Sequence, residues 1–102
     1  MQYLCQLDDI VPNTGVCALY KDKQIAVFRL ADNRIFALDN YDPFSQANVL
    51  SRGILGDLDN QVVVASPIHK QHFNLESGQC LEDEKIKLTS YAVIIKEGAV
   101  YL

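Results

Sequence analysis

The chain has 102 residues, 49% hydrophobic and 22% charged, the composition of a globular domain rather than of a disordered segment. At 11.4 kDa, size scaling expects a folded surface of about 5,800 Å² against about 16,500 Å² unfolded, enough burial for one core without disulfide or metal staples. Nine Lys and Arg against 13 Asp and Glu give a net charge of −4, which argues against nucleic acid or an anionic membrane as partner, since both are bound through clustered cations.

The densest basic spot, Lys85-Ile86-Lys87, follows the acidic run Glu82-Asp83-Glu84, which reads as a solvated loop. Apolar runs such as Val62–Ala65 and Tyr91–Ile95 fall far short of the roughly 18 residues of a membrane span. Met1-Gln2-Tyr3-Leu4-Cys5 lacks the basic start and apolar stretch of a signal peptide, so the expected location is cytoplasmic. Cys5, Cys17 and Cys80 are odd in number and form no Cys-x-x-Cys pair. They read as free thiols acting as small buried hydrophobes.

In chain order, Tyr3 to Leu7 is the first strand candidate, broken by Asp8-Asp9 and Pro12-Asn13-Thr14-Gly15. Val16 to Tyr20, Ile25 to Leu30 and Ile35 to Leu38 alternate with period two between short polar turns, the pattern of an antiparallel meander. Within it Ala26, Phe28 and Leu30 share one face and Arg29 takes the other. Asp39 to Gly56 has weak periodicity and several turn residues, and reads as a long functional loop. Asp57 to Asn60 is a turn. Val62 to Ala65 is a β-branched strand buried on both faces, ended by Ser66-Pro67. Gln71 to Leu75 is a further strand, Glu76 to Gln79 a tight turn, and Tyr91 to Ile95 pairs with Ala99 to Leu102 in a closing hairpin. The expectation is one all-β domain over residues 1–102, an antiparallel sandwich or barrel of eight or nine strands, with no internal repeat.

Two segments then belong together. One reads Asn40-Tyr41-Asp42-Pro43-Phe44 followed by Leu50-Ser51-Arg52-Gly53. The other reads Ala65-Ser66-Pro67-Ile68-His69-Lys70-Gln71-His72-Phe73 followed by Ser77-Gly78. This pair resembles the two loops of Rieske iron–sulfur domains, Cys-x-His in the first and Cys-x-x-His in the second. The resemblance extends over nearly the whole chain and implies a Rieske-like fold. A Rieske centre takes two thiolates on one iron and two imidazoles on the other. Placed on those positions, this chain has Asp42 and Phe44 in the first loop, then Ser66 and His69 in the second. Only His69 matches, so the expectation is a domain without a cluster. With these replacements and the ending Gly78-Gln79-Cys80-Leu81-Glu82-Asp83-Glu84, the chain is similar to the small-subunit branch of NAD(P)H-dependent nitrite reductases. That similarity implies assembly with a large subunit carrying FAD, an iron–sulfur cluster and sirohaem, and an accessory, non-catalytic role in reducing nitrite to ammonium. A Rieske-type ferredoxin-like electron carrier and a free-standing protein-binding module are the alternatives.

Each position has a plainer reading as well. His69 is a polar loop residue, or a member of a weak open metal site with Asp42 and Ser66. His72, three residues on along a strand, points to the other face and does not chelate with it. Asp42 and Ser66 suit side-chain-to-amide turns. A hydrolytic triad of Ser66, His69 and Asp42 lacks a nucleophile elbow. Phe44 is either tucked inward or an aromatic docking anchor. Arg52, Lys70 and His72 are either a cationic rim beside it or ordinary solvated charge. The candidate partner-binding residues are therefore Phe44, Arg52, His69, Lys70 and His72, with no catalytic residue expected.

Overall fold

The computed structural model describes residues 1–102. Its strands are β1 (Tyr3–Gln6), β2 (Thr14–Tyr20), β3 (Lys23–Arg29), β4 (Ile35–Asp39), β5 (Tyr41–Asp42), β6 (Ala47–Asn48), β7 (Ile54–Leu58), β8 (Gln61–Ala65), β9 (His72–Asn74), β10 (Ser90–Tyr91), β11 (Ile94–Lys96) and β12 (Ala99–Tyr101). Short 3₁₀ turns at Leu7–Asp9 and Leu50–Arg52 are its helical segments. No helix is long and apolar enough to cross a membrane. The strands form four antiparallel sheets, ordered β1-β12-β11, β10-β4-β3-β2, β5-β6 and β7-β8-β9. The folded surface of 5844 Å² agrees with size scaling for a compact chain.

The expected meander is the middle layer, and β3 is its centre. Alternate β3 residues go to opposite faces, and both faces are buried. Ala26 and Phe28 join Leu30, Leu38, Leu50, Val64, Phe73 and Leu75 in the larger core. Ile25 and Val27 join Ile10, Ala37 and Val100 in the smaller one. The β7-β8-β9 sheet therefore covers one face of β3, and the β1-β12-β11 sheet covers the other. Arg29 sits at the end of the strand, and its Nη1 donates to the carbonyls of Leu7 (3.3 Å) and Ile10 (2.9 Å).

Three two-residue turns carry positive φ at both positions: Lys21-Asp22, Asp59-Asn60 and Glu97-Gly98. They close pairs Tyr20↔Lys23, Leu58↔Gln61 and Lys96↔Ala99, as the right-handed twist of hairpins favours.

Three expectations need correction. The segment from Asp39 to Gly56 is not one long loop: it holds the β5–β6 hairpin, a 3₁₀ turn and the start of β7. Asp57 and Leu58 belong to β7, because the turn is only Asp59-Asn60. The run Tyr91 to Ile95 is not one strand. Ser90–Tyr91 pairs with β4, and Ile94–Lys96 crosses to pair with β12.

Candidate functional site: two matched loops

The two segments singled out by sequence are both hairpin connections, and they are built alike. In the first, the Phe44 amide donates to Asp42 Oδ1 (2.9 Å) and the Gln46 amide donates to the Asp42 carbonyl (2.8 Å). In the second, the Ile68 amide donates to Ser66 Oγ (3.4 Å) and the Lys70 amide donates to the Ser66 carbonyl (3.1 Å). Each loop turns through a left-handed residue, Gln46 at φ 55° and Lys70 at φ 60°. Asp42-Pro43-Phe44 and Ser66-Pro67-Ile68 are thus a short repeat that sequence reading missed. Its signal was a small polar residue, proline and an apolar residue, used twice. The polar side chain caps the turn, and the proline fixes φ where no amide donor is needed.

The lead residues of the two loops meet. Ser66 Oγ donates to Asp42 Oδ2, joining positions 24 apart in sequence. Asp42 is 0% exposed and Ser66 is 1% exposed. Burial pushes the Asp42 carboxyl upward. The Ser66 hydroxyl, the Phe44 amide and a weaker attraction to Ser45 outweigh it and hold the group below the usual carboxylate range. The Ser45 hydroxyl itself lies outside hydrogen-bond geometry, as does Gln71 Oε1 in the second loop. Buried Asn40 ties the base of the first loop, its Nδ2 donating to the Asn48 carbonyl (3.2 Å) and its Oδ1 accepting from the Ser51 amide (2.7 Å). Nothing in the sequence singled out Asn40.

The other candidate residues are dispersed. Phe44 is half-buried against the larger core, its ring centroid 6.2 Å from that of buried Phe73. Arg52, His69 and Lys70 are exposed and make no ion pair. His72 lies in β9, and Glu82 holds it twice: Glu82 accepts the His72 amide at 2.7 Å and faces the imidazole Nδ1 at 2.7 Å. Burial raises the Glu82 carboxyl, but these contacts with His72 bring it below its ordinary value. The acidic run is therefore anchored at Glu82 rather than wholly solvated. Of the cysteines, only Cys80 is buried. Cys17 is exposed, its Sγ 3.4 Å from Gln24 Oε1, and Cys5 is intermediate. Burial is the leading cause that raises each of the three thiols.

These residues do not fit a [2Fe–2S] centre. The two positions that would supply thiolates hold a carboxylate and a hydroxyl already bonded to each other. One imidazole position holds an aromatic ring packed on the core. No group of three His, Cys, Asp or Glu side chains is arranged so that it could hold a metal ion. A ferric cluster needs soft anionic sulfur ligands, and these loops offer one imidazole. The arrangement binds the two loops together.

The family described as the Rieske-like [2Fe-2S] domain matches residues 1–102. The chain is 45% identical over 100 residues to the nitrite reductase (NADH) small subunit of Escherichia coli (strain K12), covering 97% of this chain and 93% of that protein. The NMR structure of the E. coli protein NirD superposes with a TM-score of 0.89 at 44% identity, covering 97% of this chain and 91% of that one. A nitrite reductase [NAD(P)H] large subunit of Klebsiella oxytoca is 39% identical over 101 residues, covering 99% of this chain but 10% of that protein. The chain belongs to the Rieske-like [2Fe-2S] domain family, within its branch of nitrite reductase small subunits.

Proposed function

We propose that this chain is the small, non-catalytic accessory subunit of a cytoplasmic NAD(P)H-dependent nitrite reductase. It supports the reduction of nitrite to ammonium by a large subunit that carries FAD, an iron–sulfur cluster and sirohaem. The observation that carries the reading is the Asp42–Ser66 bond at two of the four ligand positions. A loop pair committed to that bond leaves electron transfer to a partner. The names of the relatives supply the partner's class. A ferredoxin-like carrier would need the ligands that this chain lacks.

In this reading the chain acts by recognition. The loop segments offer exposed Arg52 and Lys70, cations that make no ion pair within this acidic chain, together with the exposed imidazole of His69, to polar and acidic groups of the large subunit. Phe44 stiffens the loop from beneath, and His72 is held in place by Glu82. Single-domain architecture over residues 1–102 is part of the same proposal. The test is co-expression of the large subunit with and without this chain. Nitrite-dependent NAD(P)H oxidation and recovery of assembled enzyme rise with it; identical activity and assembly without it would refute the accessory role.

A further inference from the structure

We propose that the outer face and open edge of the β1-β12-β11 sheet anchor this chain to the large subunit. The inference rests on the accessory-subunit reading and moves the main attachment away from the loop pair. Register places Tyr3, Tyr101 and Ile94 in one row across the three strands. The neighbouring row holds Cys5, Val100 and Ile95, and Val100 is fully buried in the smaller core. Paired residues in a sheet point to the same side and successive residues to opposite sides. In β11 and β12 the two rows are successive residues; in β1 a bulge between Tyr3 and Cys5 takes up Leu4, and Leu4 and Cys5 both pack on the smaller core. The Tyr3 row therefore faces away from the core.

That row is apolar and open. Tyr3 is 48% exposed and Ile94 is 45% exposed. The Tyr3 and Tyr101 rings meet edge to face at 5.9 Å, which holds two large side chains in place before any partner arrives. Tyrosine is enriched at interface cores for its large contact area and low ordering cost. Ile95 shares the inner row, yet it is 46% exposed because β11 is the sheet's edge. The backbone of β11 bonds to β12 alone. An unpaired edge beside exposed isoleucines is what an added strand or an apolar surface covers.

The chain ends identify the occupant. Gln2 and Leu102 are paired, each amide donating to the other's carbonyl at 2.6 and 2.9 Å. Both ends of the fold thus leave from this sheet. In the Klebsiella oxytoca relative the matching region is a tenth of a large-subunit chain. The remainder of that chain is joined at one or both of these ends, so it departs beside this sheet. The loop pair lies on the other layer, across β3. A sheet that is both the exit point of the fused chain and an uncovered apolar face fits the large subunit as its cover.

The test uses the full chain co-expressed with the large subunit. A photo-crosslinking amino acid replaces Ile94 in one variant and Ile68, an exposed loop residue, in another. A crosslink from position 94 to the large subunit supports the proposal. No such crosslink, or one only to a second copy of this chain, overturns it whatever position 68 gives. The Tyr3→Glu/Ile94→Glu double variant weakens co-purification at least about tenfold, while circular dichroism shows it still folded. Should the unaltered chain fail to co-purify with the large subunit at all, the accessory-subunit reading itself fails.

Discussion

Asp42 and Ser66 carry the buried side-chain hydrogen bond that ties the two loops together. A buried carboxylate is stable only when its acceptor sites are filled, and here a hydroxyl and an amide fill them. Ser66→Ala removes one donor and leaves the carboxylate short of it, which costs about 1–3 kcal/mol of stability in urea unfolding. Acid acts through the same group. The folded chain holds Asp42 below its ordinary value of 3.8, so the unfolded chain binds the extra proton. This contribution is complete above the unfolded pKa and is lost as pH falls through the lower folded one. Glu82 and Asp32 are shifted in the same direction. The expected outcome is a stability that drops below about pH 4, with a shallower drop in Asp42→Asn, measured by unfolding across an acid series. Unchanged steepness in that variant would contradict the assignment. The turn-forming character of both residues was legible because each is small, polar and precedes proline. Their bond to each other was not legible, since it depends on two hairpins meeting across 24 positions.

Turn geometry separates two glycines that look alike in sequence. Gly78 has φ +81°, and a Cβ built there would lie 2.1 Å from the Leu88 carbonyl oxygen; Gly98 has φ +77° and open space around it. Gly78→Ala therefore loses at least about 1–3 kcal/mol from strain and clash. Gly98→Asn stays within about 1 kcal/mol, because asparagine visits the left-handed region readily. Urea midpoints at unchanged m-value measure both. The meander and the Lys21-Asp22 hairpin were legible because their period-two runs and polar turns agree. β7 was obscured by Gly56 and Asp57, which suit turns locally; its pairing with the β-branched β8 overrides them. The break between Tyr91 and Ile94 has no local signal. It follows from one run serving two sheets, with Tyr91 also donating its hydroxyl to Asp39 Oδ1 at 2.6 Å.

The molecule as a whole is three layers around β3, with the loop pair on one outer layer and the paired chain ends on the other. Its full-length likeness to nitrite reductase small subunits fits a chain that works by contact with a larger protein. The fold class and the loop pair were legible through the Rieske resemblance. The outer sheet row was not, because Tyr3, Ile94 and Tyr101 come together only through strand register. The central claim is that this Rieske-like scaffold holds its loops by a hydrogen bond where a cluster would otherwise sit, and so carries no electrons itself. It is tested most directly by the visible absorption spectrum of the purified chain after anaerobic incubation with iron and sulfide. The predicted result is a colourless protein with no band above the protein absorption once free iron is removed. A red-brown protein with sulfide-to-iron bands that bleach on reduction would contradict the account.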